Sequence, residues 1–281
     1  MKRVKLLLLL SLFPLLLEAV TQNERYWEEE TLKNIPKGLG LHTDLAYGSY
    51  LIEVHSSEMD SAIDYDVLEA TLGVSYVYDK WLLGTSVKFV VDEVQSNMYV
   101  VTTQAPLNNH AKINKNEFAL YMHYLFIENE KESWHLNTIY RYASLDASDA
   151  YHSFFDYVSS FQYQTDGLAV SLLYQRNIVD KGMLFLNTGL LYSKAKVLMS
   201  TSVDGQLQDS FIDDSTNALG IKFSMGYKYD YSKNLSLHLR TDAWKQKFDS
   251  LNVLSRVGDT LPSATLKEES YNTYFGVAWR F

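Results

Sequence analysis

Residues 67–92 read VLEATLGVSYVYDKWLLGTSVKFVVD, and their parity decides the fold. In the first half Leu68, Ala70, Leu72, Val74, Tyr76 and Tyr78 are apolar or aromatic, while Glu69, Thr71, Gly73 and Ser75 lie between them. Successive side chains of a strand point to opposite faces, so this stretch predicts a strand with one large apolar face and one small or polar face. After Asp79-Lys80 the pattern restarts, with Trp81, Leu83, Thr85, Val87, Phe89 and Val91 on one face and Gly84, Ser86, Lys88 and Asp92 on the other. Two such runs around a short polar turn predict an antiparallel hairpin.

The same unit recurs three times. Phe118 to Phe126 and Trp134 to Tyr142 flank a polar turn at 128–132; Leu168 to Tyr174 and Leu184 to Tyr192 flank Asp180-Lys181-Gly182; Leu219 to Tyr229 and Leu235 to Thr241 flank 230–234. Two single strands complete the set. The first carries Leu39, Leu41, Thr43, Leu45 and Tyr47, and its parity then slips at Gly48-Ser49 to Tyr50, Ile52 and Val54, which predicts a bulge. The last carries Tyr271, Thr273, Phe275, Val277, Trp279 and the terminal Phe281. The expected total is ten strands.

The turns near 79, 130, 180 and 232 are short, whereas the connections 57–64, 93–114, 145–160, 199–214 and 247–267 are long and polar. Aromatic residues gather at the strand ends beside the short turns, among them Tyr78, Trp81, Phe126, Trp134, Tyr174, Tyr229 and Trp279. Rings at both ends of apolar strands describe an interfacial girdle. A soluble barrel would turn its apolar face inward and would have no reason to end it in aromatics. In lipid an open sheet edge leaves backbone donors and acceptors unpaired, so a spanning sheet has to close.

The N-terminus carries an address. Lys2, Arg3 and Lys5 precede an apolar run from Leu6 to Leu17, too short to span a bilayer as a helix, and Ala19 is the first small residue after it. Residues 1–19 are expected to be a secretory signal peptide. Residues 20–37 would then form a periplasmic segment, and 38–281 the barrel. Of the 281 residues, 47% are hydrophobic and 39 are aromatic, which excludes a disordered chain. The absence of cysteine excludes disulfides, thiolate metal sites and a Cys nucleophile. A formal charge of -9 argues against a nucleic-acid binder.

On the signal peptide, the ten alternating strands and the closing segment, the chain resembles the bacterial outer-membrane β-barrel proteins. The resemblance implies an all-β, closed antiparallel transmembrane barrel in the bacterial outer membrane, with short periplasmic turns and long extracellular loops. Tyr271, Phe275, Val277, Trp279 and Phe281 resemble the recognition signal that this superfamily presents to its barrel-assembly machinery. Outer-membrane lipid and lipopolysaccharide are the other implied partners. The likeness is almost silent on activity, because one barrel plan hosts pores, adhesins and enzymes.

The inward face is expected to collect charge of both signs. Glu69, Lys88, Asp92, His123, Arg141, Lys222, Arg240 and Asp242 are the candidate lumen-lining residues. Paired charges filling a narrow lumen and a passage for small polar solutes are both consistent with them. Inward glycines such as Gly73, Gly84, Gly226 and Gly276 suggest more space than a plugged barrel requires. If the lumen conducts, the excess of inward cations predicts mild anion preference.

The alternative is a barrel hydrolase. Asp64-Tyr65-Asp66 resembles one half of the omptin-type protease site, but the Asp-x-His of its other half is missing from the chain. His55-Ser56-Ser57 has the His-x-Ser spacing of outer-membrane lipid A deacylases and phospholipases, in which His55 would activate Ser57. The acidic connections lack the regular oxygen spacing of a calcium loop, so neither a metal nor another cofactor is expected. Tyr151, Phe154, Phe155, Tyr157, Phe161 and Tyr163 are expected to form an upper aromatic girdle with loop packing. The leading expectation is a non-enzymatic barrel, either a small-solute pore or a structural surface protein.

Overall fold

The computed structural model describes residues 38–281 except 57–59, 93–95, 103–104, 153–155, 180, 205, 208–209 and 256–262. They belong to the unit 36–281, one of the two into which the chain divides. The expected signal peptide, 1–19, and the segment 20–37 lie outside the described residues.

The strands are β1 (Gly38–His55), β2 (Asp60–Tyr78), β3 (Trp81–Asp92), β4 (Ser96–Thr102), β5 (Ala105–Glu128), β6 (Glu132–His152), β7 (Asp156–Val179), β8 (Gly182–Val203), β9 (Gln206–Leu207), β10 (Ser210–Asp230), β11 (Leu235–Phe248), β12 (Val253–Ser255) and β13 (Thr265–Arg280). Ten of them form a ring in the order β1-β2-β3-β5-β6-β7-β8-β10-β11-β13, antiparallel throughout. The ring closes where β13 meets β1, from Gly40 opposite Arg280 to His55 opposite Thr265. The fold is therefore the closed, all-β, ten-stranded antiparallel barrel that the alternation predicts. Short β4 pairs with β2 and β5 beyond the end of β3 and continues its line, so 93–114 adds no strand pair to the ring.

Three of the four short turns have a visible local cause. Asp79 adopts a φ of 52°, a left-handed conformation that aspartate tolerates. Asn129 Oδ1 accepts the backbone N–H groups of Lys131 and Glu132 at 2.9 Å each, an Asx turn. Ser232 Oγ does the same for Leu235 at 3.1 Å. Beside these turns aromatic rings pair across neighbouring strands, Trp81 with Tyr124 at 4.4 Å and Trp134 with Tyr174 at 4.8 Å between centroids. Such pairs stabilise a sheet by up to about 1 kcal/mol each.

The barrel has two zones of opposite polarity. In the zone beside the short turns the large apolar side chains face outward: Leu190, Leu219 and Ile221 are 69%, 70% and 63% exposed. On β1 this belt runs from Leu39 to Tyr47, nine residues, about the length of a tilted strand that crosses a bilayer. Beyond it, in a collar at the far end, the pattern inverts. Tyr50, Ile52, Val54, Ile63, Tyr65, Phe161, Val197, Met199, Ile212, Phe248 and Leu266 turn inward and form one buried apolar cluster. The residues between them, such as Asp64, Asn114, Gln162, Lys196 and Lys247, face outward and are exposed.

This inversion corrects three sequence expectations. The predicted bulge at Gly48-Ser49 is absent, because the register of β1 with β2 and β13 is unbroken from Gly40 to His55. Tyr50, Ile52 and Val54 change company instead of parity: they stay on the inward face that Asp44 and Ala46 occupy below them. Second, much of what reads as long polar loops is strand, because a polar outer face resembles a loop when only apolar residues are followed. Third, Phe161 and Tyr163 belong to the inner face of β7, at 1% and 2% exposure, and not to an upper girdle. The other aromatics of that cluster have no described side-chain positions.

Candidate functional site: the charged layers of the lumen

The inward parity of each strand brings seven of the eight lumen candidates together: Glu69 from β2, Lys88 from β3, His123 from β5, Arg141 from β6, Lys222 from β10, and Arg240 and Asp242 from β11. Asp92 does not join them. The register of β2 with β3 shifts between Leu68 and Glu69, so Asp92 lies opposite outward-facing Leu68 and is exposed.

Where the apolar belt meets the collar, a chain of ion pairs crosses the interior. Glu69 takes Lys115 Nζ at 3.0 Å and Lys88 Nζ at 3.3 Å, and it accepts the Tyr50 hydroxyl at 2.8 Å. Lys88 also reaches Glu117 at 3.3 Å, and Glu117 meets Arg141 Nε at 2.9 Å. Arg141 lies over the Trp244 ring at 4.6 Å, on β11, which completes the crossing. Beside it Arg240 meets Asp242 at 3.0 Å and lies over the Tyr274 ring at 4.2 Å. Buried charge is costly unless paired, and in this layer the carboxylates Glu69 and Glu117 each serve two cations. Lys115 and Glu117 were missed in the sequence because they fall just beyond a stretch, 93–114, that reads as a loop. Their signal was the odd-numbered parity of Ile113, Lys115, Glu117 and Ala119, which runs into His123.

A second layer follows in the collar. Tyr163 donates to Glu268 at 2.6 Å, Gln246 Nε2 donates to the same carboxylate, and Ser193 donates to Gln246 at 2.8 Å. These residues come from β7, β13, β11 and β8, so the layer also spans the interior. Burial pushes the Tyr163 phenol well above its ordinary range, and the Glu268 charge adds to the effect. Tyr50 and Tyr65, stacked at 5.0 Å between centroids, are likewise raised by burial. The apolar cluster of the collar packs around these layers and shares Tyr50, Trp244 and Tyr163 with them.

In the zone beside the short turns the inward glycines are covered, which corrects the expectation of spare room. A Cβ built on Gly73 would collide with the His42 ring, one on Gly84 with Tyr121, one on Gly226 with Phe185, and one on Gly276 with Asp44 and His238. Each glycine is thus a recess for a large neighbour. The Gly276 recess seats a polar contact, His238 Nε2 to Asp44 Oδ1 at 2.8 Å.

The hydrolase candidates do not converge on this interior. Asp64 and Asp66 lie on the outer face of β2, and Asp66 accepts the Tyr47 hydroxyl at 3.0 Å. His55 shares the outer face of β1 with Glu53, 3.6 Å away. Ser57 lies outside the described residues. Among the described residues, no three His, Asp or Glu side chains are grouped to hold a metal ion.

No family model matches the chain, and no curated relative does. Solved structures do. The outer membrane protease OmpT from Escherichia coli is similar at a TM-score of 0.60 with 11% identity, over 90% of this chain and 99% of that one. The chain folds as an outer-membrane β-barrel. The translocator domain of the autotransporter NalP from Neisseria meningitidis aligns over 96% of this chain and 95% of its own, at 10% identity and a TM-score of 0.47. OprG from Pseudomonas aeruginosa aligns over 87% and 96%, at 10% identity and a TM-score of 0.42. Within this barrel, the lumen holds side chains of both charges and the collar holds an apolar core.

Proposed function

We propose that the protein is a non-enzymatic, structural surface barrel of the bacterial outer membrane whose lumen does not conduct. It is secreted with residues 1–19 as a cleaved signal peptide, keeps 20–37 and the short turns in the periplasm, and raises its collar from the outer surface. Tyr271, Phe275, Val277, Trp279 and Phe281 present it to the barrel-assembly machinery, and lipopolysaccharide surrounds it in the outer leaflet.

The observation that carries this reading is the pair of polar layers across the interior with the apolar cluster packed around them. Solute passage would require ion pairs such as Glu69–Lys115 to part and the Phe161–Phe248 region to open. The outward placement of Asp64, Asp66 and His55 lends no support to hydrolysis, and the proteolysis named for OmpT remains a property of OmpT.

Planar-bilayer recording of the purified, refolded protein is the test. The expected result is a silent membrane. Resolved single-channel steps with a reversal potential on the anion side would replace this proposal with the porin-like one. Hydrolysis of lipid or peptide substrates, abolished by Asp66→Asn while folded migration is kept, would replace it with the enzymatic one.

A further inference from the structure

The outer face of the collar is unevenly charged. On β2, β3 and β6 it carries Asp64, Asp66, Asp92 and Asp146, with the neutral Asn114 and Asn116 of β5 between them. Among the described side chains, this arc of the collar has no outward cation. Across the ring, β8, β11 and β13 carry Lys194, Lys196, Lys245, Lys247 and Lys267. Asp213 on β10 and Glu269 on β13 are the outward acids of that side, and Glu269 is taken up by Lys245. Among the described residues Lys194, Lys196 and Lys247 form no ion pair, and neither do Asp64, Asp92 and Asp146. Lys247 stands directly opposite Lys267 in the ladder, and Glu53 reaches Lys267 at 3.9 Å without neutralising Lys247. Like charges placed opposite each other destabilise a sheet, so an acidic surface brought against this arc would relieve a cost that the single barrel bears.

The apolar belt under the two arcs differs in shape. Under the acidic arc it is hollowed into a groove of about 310 Å³ across β3, β5, β6 and β7, lined by Leu83, Leu120, Met122, Thr138, Tyr140 and Leu168. Thr138 is its small residue, set among long side chains. Beside and below the lysines the belt protrudes instead: Leu190, Leu219 and Ile221 are the most exposed aliphatic side chains among the described residues. They form one ridge, because Leu190 pairs with Ile221, and Leu219 lies opposite Lys247 at its upper end. Cations thus go with a ridge, and acids with a groove.

We infer that the barrel associates with further copies of itself, side by side in the membrane, the cationic arc and ridge of one copy docking on the acidic arc and groove of the next. The inference rests on the proposed outer-membrane placement and deepens it by naming a partner. A bilayer holds every copy the same way up with its belt at one depth, so collar meets collar and belt meets belt. A two-fold contact centred on either arc would set like charge against like, whereas a head-to-tail contact sets unlike charge together. Lipid tails are as apolar as the belt itself, so burial of apolar surface alone gives no drive to associate, and shape and polar contacts decide. Here both kinds of complementarity join the same two faces.

The test is energy transfer between labelled copies. The chain has no cysteine, so Lys131→Cys in a short turn far from the collar supplies a single label position. Donor- and acceptor-labelled proteins are refolded together into phosphatidylcholine vesicles, whose surface has no net charge. Transfer is expected severalfold above that of random mixing at the same density, and it should fall toward that level at about 1 M salt. The charge reversals Lys194→Glu/Lys196→Glu/Lys247→Glu and Asp64→Lys/Asp92→Lys/Asp146→Lys should each fall to the random level alone. Mixed with each other they should regain transfer, because each keeps the arc that the other has lost. Thr138→Trp, which fills the groove, should weaken transfer as well. Random-level transfer in the wild type, unchanged transfer in either reversal, or no recovery in the mixture of folded reversals would overturn the contact. Flotation separates this from the underlying placement: a protein that floats with the vesicles yet shows only random transfer loses the self-association alone, whereas one that stays dissolved loses the placement too.

Discussion

Tyr163 on β7 and Glu268 on β13 meet across the inside of the barrel at 2.6 Å, 105 residues apart in sequence. The bond ties two walls that are not neighbours in the sheet, and it is shut in by the apolar cluster of the collar. The phenol is held protonated by its burial and by the carboxylate it serves.

That arrangement sets an alkaline limit to stability. Tyr50, Tyr65 and Tyr163 have folded pKa values raised above the ordinary value of 10.0. Below about pH 10 both folded and unfolded phenols keep their protons, and these groups give no pH dependence. Above it the unfolded chain releases protons that the folded barrel retains, so stability falls as pH rises. Ultraviolet titration of phenolate should show a subset of tyrosines that ionise only as the barrel unfolds. Smooth ionisation of all tyrosines in the folded state would contradict the burial described.

Glu69 is the shared partner of Lys88 and Lys115. Glu69→Gln should lower stability by about 3–5 kcal/mol, because it leaves buried ammonium groups short of counter-charge. The double variant Glu69→Met/Lys115→Met should lose much less, since it removes the desolvated pair together. Denaturant midpoints in lipid vesicles, followed by tryptophan fluorescence, would measure both.

The recess at Gly276 makes a steric prediction. Gly276→Val places methyl groups where Asp44 and His238 now meet, and should cost about 1–3 kcal/mol. The readout is the temperature at which heat-modifiable migration is lost on a gel.

The collar and belt should respond differently to the loss of apolar bulk. Phe161→Ala opens a cavity in a packed interior and is expected to cost about 3–5 kcal/mol. Leu190→Ala removes a side chain from the outer belt, where lipid refills the space, and should cost clearly less. Unfolding of the two variants under identical conditions provides the comparison.

Phe281 closes the seam, its backbone N–H bonding to Leu39 O at 2.9 Å. Its deletion should reduce outer-membrane accumulation in cells severalfold if the proposed terminal assembly signal operates. Refolding of the same variant into detergent should remain near wild type. Equal failure in both settings would assign Phe281 a purely structural role.

The belt was legible in the sequence because its period-two pattern has one meaning there: large residues out, small or polar residues in. Leu68 to Tyr78 and Trp81 to Val91 read correctly for this reason, as did the four short turns. The collar was not legible, because the same periodicity changes sign without any change of register. At Tyr47-Gly48-Ser49-Tyr50 the apolar run jumps from odd to even positions, which a sequence presents as a slipped strand. Physically the strand continues and its large side chains change sides, from the exposed outer wall to a packed interior. The lumen candidates survived this because charge in the belt zone can face only inward. Lys115, Glu117 and Glu268 lie beside the change of sign and were therefore lost, and Asp92 was misplaced by a bulge its own strand does not announce.

The collar also changes what can be grasped from outside. In a barrel that ends at the headgroups, an antibody or a phage meets only loops, which vary freely. In the proposed outer-membrane placement this protein lifts regular sheet above the bilayer, with Asp64, Gln162, Lys196 and Lys247 at fixed spacings on a wall backed by the apolar cluster within it. An epitope on that wall is set by backbone geometry, and escape from it requires exchanging side chains one at a time, since insertions would break the ladder.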